Sequence, residues 1–478
     1  MRHGYLVGLI YFGGAFWWIS NVTAIGTFFL VLYLALYPAI WFLLVARLVV
    51  GRKGILSGNA FFQAVATASL WVTLEWWRSW FLTGFNWNEF GISQSPSIIF
   101  RQIAAYGGVH LISFVLVMVN ILWAKGLLEI MQNIRAKRTA YTSFSFGSAL
   151  LIVAFCFALG WHHLQRHHAD TVSAPLSFAC IQPNIQQIPY DGGKWANFEA
   201  KEEAALTKTK DLTMKAIAAP IQPQLLIWPE ATIEQGVFND RPMNEAVRDI
   251  CYAYDGYFLL GSQDYLEHEH KVYNSAYFFT PGGDQFTEYR KNKLVILGEF
   301  LPFGDTFPWI RKVIGIGMDF TPGPGPKLFV MEKPKVTLTP LICFEDTLAS
   351  VADKAALLKP DIFVTITNDG WYWSWYAEWG IRQHLNHSVF RCVEHDRPMI
   401  RCANNGISSL IDQDGQVVDR FRTEAGNEID VSGIFAKKFQ YYPASPTFYE
   451  SWGDWIVLLS GLISAILGIR FFCRPNES

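Results

Sequence analysis

The sequence predicts a polytopic α-helical membrane domain joined to a layered α/β domain, and three observations carry that reading. Hydrophobic residues make up 51% of the 478-residue chain and charged residues only 17%, against roughly 25% charged in ordinary soluble domains. Long apolar runs crowd into the stretch before residue 165 and into the end of the chain. Between them, short β-type runs alternate with helical stretches, the pattern of a layered α/β fold. The net charge of −2 comes without any long Lys/Arg run, so nothing points to nucleic acid as a partner.

Crossing a hydrocarbon core about 30 Å thick takes roughly 20 apolar residues of helix. Six segments qualify, near residues 5–20, 25–47, 60–82, 104–125, 146–163 and 454–472. The opening Met1-Arg2-His3 and its apolar run have the shape of a signal peptide, but no small-x-small site follows Ile19-Ser20. The expectation is an uncleaved helix. Arg47, Arg52 and Lys53 follow the second segment, Lys125, Arg135, Lys137 and Arg138 follow the fourth, and Arg470 and Arg474 close the chain. By the positive-inside tendency both termini face the cytoplasm. The expected division is therefore residues 1–163 as about five membrane helices, 164–450 as an extracytoplasmic domain, and 451–478 as a last helix with a short cytoplasmic tail. Glu75 and Arg78, near the outer end of the third segment, have the i,i+3 spacing of an ion pair.

In the middle domain, Leu176–Ile185, Leu225–Trp228, Tyr257–Gly261, Asn274–Thr280, Val336–Cys343, Ile362–Thr367 and Met399–Ala403 read as strands. Lys194–Ala219, Arg241–Tyr254, Asp346–Leu358 and Tyr376–Glu394 read as helices. Seven cysteines show neither a CxxC pair nor a zinc-type Cys/His spacing, so neither a metal nor a cofactor is expected. Cys392 and Cys402 are candidates for pairing in an oxidising compartment. The His162-His163 and His167-His168 pairs read as a polar juxtamembrane turn.

Three segments carry chemistry. Leu338-Thr-Pro-Leu-Ile-Cys343-Phe344-Glu345-Asp346 is an apolar strand that ends in a thiol and two carboxylates, at the strand-to-helix junction where α/β folds present reactive groups. Leu225-Leu-Ile-Trp-Pro-Glu230 ends a second apolar strand in a carboxylate suited to serve as a base for a thiol. Tyr289-Arg-Lys291 opens a Gly/Pro-punctuated apolar run through Glu299, and a lysine beside a thiol stabilises both thiolate and oxyanion. Taken singly, each has a plainer reading: a core thiol, a helix cap and a solvated basic turn.

Their order, WPE, then YxKxxLVxxGExxPxG, then ICFED, then ITNDGWY, resembles the nitrilase, or carbon–nitrogen hydrolase, superfamily. Membrane helices flank that region, and Glu75-Trp-Trp-Arg78, Phe81-Leu-Thr-Gly-Phe-Asn-Trp87, Ile181-Gln-Pro-Asn184 and Arg397-Pro-Met-Ile-Arg401-Cys-Ala-Asn404-Asn405-Gly406 accompany it. Together they resemble the apolipoprotein N-acyltransferase family, the membrane-bound branch, over nearly the whole chain.

The resemblance implies an αββα sandwich with Glu230 as base, Cys343 as nucleophile and Lys291 as the cation that stabilises the tetrahedral intermediate. It implies supporting roles for Glu299, which orients the lysine, and for Asn274, Trp195, Phe344 and Glu345. The family commonly has Tyr where Phe344 stands, so a hydroxyl is absent here. It usually begins with about two further membrane helices, and this chain opens at what resembles their third. The implied reaction moves a fatty acyl chain from a phospholipid through a Cys343 thioester to the N-terminal amine of a diacylated lipoprotein. Its expected place is the bacterial inner membrane, as a multi-pass monomer. Trp309, and Trp371, Trp373 and Trp375 in a second aromatic run, are candidates for loops resting on lipid. Two rival readings are a membrane-tethered amidase, in which water replaces the amine, and an idle relative that only holds lipid; the complete set of three catalytic residue types counts against the second.

Overall fold

The computed structural model describes all residues except 51–58, 138–142, 167–171, 186–197, 233–235, 240, 303, 305, 308, 310, 312–318, 373–376 and 474–478. The chain divides into a helical unit, Met1–Ala169 with Pro446–Ser478, and a second unit, Asp170–Ser445.

The helical unit contains α1 (Arg2–Phe16), α2 (Ala24–Leu34), α3 (Leu36–Leu44), α4 (Ala60–Arg78), α5 (Ala104–Arg135) and α6 (Phe144–Leu164), and closes with the short α11 (Phe448–Trp452) and α12 (Trp455–Phe472). Every segment expected to be a membrane helix is helical. Among the described residues, four stretches are long and apolar enough to cross a membrane: Ala24–Val50, Phe100–Arg135, Phe144–Leu164 and Trp455–Phe472. The other two differ for physical reasons. Helix α1 spans 15 residues before a 3₁₀ turn, and α4 buries Gln63, Thr67, Ser69, Glu75 and Arg78 in the bundle, which dilutes its apolar character.

Helix α4 is the packing centre. Ala64 and Ala68 meet Val117, Met118 and Leu122 of α5 and Ala149 of α6, while Ala66 and Leu70 meet Leu48, Val49 and Leu467. Small residues let helix backbones approach where lipid supplies no hydrophobic contrast. The break between α2 and α3 falls at Ala35, one turn before Pro38, whose ring excludes the carbonyl four residues back. Helix α5 kinks at Gly107–Gly108. Gly108 has φ +66°, and a Cβ there would sit 2.7 Å from the Tyr449 ring.

The second unit is a four-layer αββα sandwich. Its elements are β1 (Leu176–Gln182), α7 (Phe198–Ile217), β2 (Leu225–Ile227), α8 (Arg241–Ala253), β3 (Tyr257–Leu266), β4 (Lys271–Phe279), β5 (Phe286–Arg290), β6 (Phe329–Glu332), β7 (Lys335–Ile342), α9 (Ala349–Ala356), β8 (Ile362–Thr367), α10 (Ala377–His395), β9 (Met399–Ala403), β10 (Ser409–Ile411), β11 (Val417–Arg420) and β12 (Gly433–Phe439). The sheets run β12-β1-β2-β3-β4-β5 and β11-β10-β9-β8-β7-β6. Each has a parallel centre, β1-β2-β3 and β7-β8-β9, with antiparallel strands outside.

Alternating side chains of both sheets form the inner core, including Phe178, Ile227, Leu259, Leu338, Ile366 and Cys402. The opposite faces pack on α7 and α8 through Leu226, Trp228 and Val247, and on α9 and α10 through Leu341, Ala355, Leu385 and Cys392. The strand period of two thus places Cys402 on the inner face of its sheet, while Cys392 lies on α10 in the outer layer. The pairing considered for these cysteines is not made; the two lie on opposite sides of one sheet.

Candidate active site

The three chemical segments all lie at carboxyl ends of strands, two of them in the parallel centres of the sheets and one on the antiparallel edge strand β5. Glu230 follows β2, Lys291 follows β5, and Cys343 follows β7. All three are buried, as are Asn274, Glu299 and Glu345. Gly261 on β3 permits the first approach, since a Cβ there would lie 2.6 Å from the Pro229 carbonyl and 2.7 Å from the Glu230 Cα.

Lys291 lies between two carboxylates. Its Nζ donates to Glu230 Oε1 at 3.1 Å and to Glu299 Oε1 at 2.9 Å. Asn274 Nδ2 donates to the same two oxygens, each at 2.7 Å, and its backbone carbonyl accepts from Lys291 N at 2.7 Å. The free oxygens are held as well, Glu230 Oε2 by the Asn368 N–H at 2.9 Å and Glu299 Oε2 by the Val295 N–H at 2.8 Å. Burial opposes charge on Lys291, but Glu230, Glu299 and Cys343 outweigh it and hold the ammonium pKa well above its ordinary value. The lysine is a fixed cation.

Cys343 takes φ +51° between β7 and a 3₁₀ turn, Cys343–Thr347. A non-glycine residue in that region costs on the order of 1–3 kcal/mol and persists only where its surroundings over-determine it. Two clamps do so. Glu345 accepts from Ile342 N at 2.8 Å, from Tyr289 Oη at 2.8 Å, and from Asn292 N and Lys293 N at 2.7 and 3.1 Å. One carboxylate thereby ties the cysteine turn to the lysine turn. Phe344 is partly buried against the outer-layer cluster.

The second clamp escaped the sequence reading. Asp346, Asp369, His384, Ser388 and Arg401 form a fully buried cluster beneath the cysteine. His384 Nε2 lies 2.7 Å from Asp346 Oδ1 and 3.3 Å from the Cys343 carbonyl, and its Nδ1 is 2.9 Å from Asp369 Oδ1. Arg401 donates to Asp346 Oδ2 at 2.7 Å and to Asp369 Oδ2 at 3.3 Å, and Ser388 donates to Asp346 Oδ2 at 2.7 Å. His384 and Ser388 share one face of α10 at i,i+4, the signal that could have found them.

Burial and then Arg401 disfavour charge on His384, yet Asp346 and Asp369 prevail and raise its pKa to about 9 from 6.5. Burial would raise Asp346, but His384 and Arg401 bring it to about 2 from 3.8. A raised histidine contributes stability that is complete below pH 6.5 and is lost as pH rises through 9. A depressed aspartate contributes stability that is complete above pH 3.8 and is lost as pH falls through 2. The thermal midpoint of the detergent-solubilised protein is therefore expected to fall between pH 7 and 9, and His384→Gln is expected to remove that alkaline fall. A parent midpoint that does not move over this range would contradict a charged His384.

The thiol itself is held neutral. Burial and the Glu230 carboxylate push its pKa well above the ordinary value, and Lys291 only partly offsets them. A thiol near a carboxyl group and an ammonium is a combination suited to base-assisted attack on a carbonyl. No group of His, Cys, Asp and Glu suited to a metal ion occurs among the described residues. Of the remaining predicted positions, Trp195, Trp373 and Trp375 lie outside the described residues, Trp371 falls in a 3₁₀ turn, Asp369–Tyr372, and Trp309 is exposed.

The sandwich is a carbon–nitrogen hydrolase domain, and the model of that family, Carbon-nitrogen hydrolase, matches residues 178–429, more than half of the chain. Among solved structures it is similar to Saccharomyces cerevisiae Nit3, a member of branch 10 of the nitrilase superfamily, at 12% identity and a TM-score of 0.41, over 64% of this chain and 98% of that one. A second model, the apolipoprotein N-acyltransferase N-terminal domain, matches residues 1–122. The chain is 29% identical to the apolipoprotein N-acyltransferase of Geobacter metallireducens over 98% of this chain and 87% of that protein. It is 30% identical to that of Pseudomonas putida over 87% of this chain and 79% of that protein. The chain belongs to the apolipoprotein N-acyltransferase family. It is a membrane protein, with helices apolar enough to cross a bilayer.

Proposed function

We propose that this chain N-acylates lipoproteins, taking a fatty acyl chain from a phospholipid and passing it through a thioester on Cys343. The observation that carries the proposal is the buried cluster in which Lys291 is fixed between Glu230 and Glu299 and acts electrostatically on a neutral Cys343 thiol. Glu230 takes the Sγ proton as sulfur bonds to the ester carbonyl carbon, and the Lys291 ammonium stabilises the oxyanion that forms. Collapse of the intermediate breaks the ester C–O bond. The leaving lysophospholipid oxygen recovers the proton from Glu230, and the acyl group remains on sulfur. The free α-amine of a diacylglyceryl-cysteine then attacks the thioester, Glu230 accepts its proton, and collapse releases the amide and returns the thiol.

A thioester reacts readily with amines, and an apolar, lipid-filled site keeps water from competing. Exposed Trp309 and the aromatic composition of the Trp371–Trp375 run support loops that rest on lipid. The Lys/Arg distribution of the loops supports a multi-pass arrangement with residues 164–450 outside the cytoplasm and both termini inside. A single chain holds every group the reaction uses, which supports a monomer.

The rival amidase reading makes water the acceptor. Incubating the purified protein with phospholipid and a synthetic diacylglyceryl-cysteine peptide separates the two: the expected product is triacylated peptide in amounts matching the lysophospholipid formed. Free fatty acid in place of triacylated peptide would favour the hydrolase.

A further inference from the structure

Strand β8 lies beside β7 in parallel register, Leu341 against Thr365 and Ile342 against Ile366. One step further along both strands, Thr367, the last residue of β8, comes beside Cys343. Thr367 is fully buried, so its hydroxyl, with a single hydrogen to donate, must place it on a partner within the protein.

Two acceptors are within its reach. Asp369 Oδ1 lies 3.3 Å from Thr367 Oγ1, longer than the roughly 2.5–3.0 Å usual for O–H···O. That carboxylate oxygen has a closer partner in His384 Nδ1, at 2.9 Å. The other acceptor is the Cys343 sulfur. Burial first, and then Glu230, raise the thiol pKa, while Lys291 and a hydrogen bond with the Thr367 side chain pull it down. The hydroxyl is thus shared between a loosely held carboxylate contact and the nucleophile.

Charged groups face the sulfur from every element around it: Glu230 after β2, Lys291 after β5, Asp369 after β8, Arg401 on β9 and His384 on α10, with Glu345 and Asp346 in its own turn. The cations are already committed. Lys291 Nζ donates to Glu230 and Glu299, and Arg401 donates to Asp346 and Asp369. A hydroxyl differs from both, because its hydrogen turns about one bond while the stiff β-branched side chain stays in place.

We propose that the Thr367 hydroxyl is a further catalytic group for Cys343, turning its O–H from Asp369 to the sulfur and donating to it whenever the sulfur carries negative charge. Charge appears twice in the thioester route, on which this role rests. In the first half, the Sγ proton passes to Glu230 as sulfur bonds to the ester carbon. In the second, the C–S bond breaks after the amine has added, and its electron pair returns to sulfur. The threonine O–H bond stays whole in both.

The test uses the full chain in detergent and has two readouts. The first is the rate at which iodoacetamide alkylates Cys343, followed on its own peptide by mass spectrometry from about pH 7 to 9; only the thiolate reacts. Without the donor the thiol pKa rises and less thiolate is present at each pH. Thr367→Val is therefore expected to move the whole profile to higher pH by about one unit or more, roughly a tenfold slower rate at any one pH, the worth of a hydrogen bond to a charged group. Thr367→Ala opens space beside the sulfur and is nevertheless expected to slow alkylation as much. Thr367→Ser keeps the hydroxyl and should restore the parent profile. The second readout is acyl transfer, in which Thr367→Val should slow both the charging of Cys343 by phospholipid and its discharge by a diacylated lipopeptide, each by about tenfold.

A valine profile that overlays the parent's, faster alkylation in the alanine variant, or a serine variant as slow as valine would overturn the proposal. Should the valine variant not fold, the alanine and serine variants make the same comparison. A shifted alkylation profile in a protein whose parent never carries an acyl group on Cys343 would sink the thioester route and leave the hydroxyl's contact with sulfur standing.

Discussion

Replacing Cys343 by alanine is expected to lower acyl transfer by at least about 10³-fold while leaving the protein folded. Loss of a nucleophile that acts as a unit with its base removes nearly all catalysis beyond binding. Alanine meets the same backbone demand as cysteine at φ +51°, and the clamps on that turn come from Glu345 and from the His384 cluster. Fold is thus separable from chemistry. Lysophospholipid release and triacylated peptide should vanish together, because both depend on one sulfur. Peptide acylation at more than a hundredth of the parent rate, in a folded sample, would mean that the acyl group does not pass through Cys343.

Glu230→Gln should have the next largest effect, a loss of roughly 10²- to 10⁴-fold in the rate of acyl-enzyme formation, the range for removing a general base. Its cause is specific to this site. Burial and the Glu230 charge hold the thiol pKa high, so a proton must leave sulfur during attack, and an amide does not accept it. Three donors also converge on the Glu230 carboxylate: Lys291 Nζ, Asn274 Nδ2 and the Asn368 N–H. Glutamine supplies one oxygen and turns an NH₂ toward a donor, which leaves a buried polar group unsatisfied at a cost of about 1–3 kcal/mol. A modestly lower thermal midpoint with a large loss of acylation, read as label on the Cys343 peptide against time, is the expected combination. An undiminished acylation rate would assign the base to another group.

Much of the candidate site was legible because it sits where the hydrophobic pattern stops. Leu225–Trp228 and Val336–Ile342 are buried apolar runs, and a carboxylate and a thiol at their ends break the pattern visibly. The strands that went unrecognised, β5, β6, β10, β11 and β12, are short or half exposed. Lys437 and Lys438 on β12 and Glu332 on β6 dilute the apolar signal, as edge strands require. The cluster around His384 was hidden for a different reason. Asp346, Asp369, His384 and Arg401 come from four elements, and only the αββα layering brings them under Cys343. Breaking such a buried pair costs roughly 3–5 kcal/mol, so a positioning role here is large yet leaves no local motif. Helix α4 shows the limit of local spacing: Glu75 and Arg78 are placed to pair, but Glu75 accepts from the Phe90 N–H and Arg78 reaches the Trp87 carbonyl, and residues 87 and 90 are brought to them only by the fold.

Passage of the acyl chain through Cys343 is tested by mass spectrometry of the purified protein after incubation with phospholipid and no acceptor. The expected result is a fatty acyl adduct on the peptide containing Cys343, labile to hydroxylamine and discharged when a diacylated lipopeptide is added. A folded protein that releases lysophospholipid and triacylates the peptide without ever carrying that adduct would contradict it.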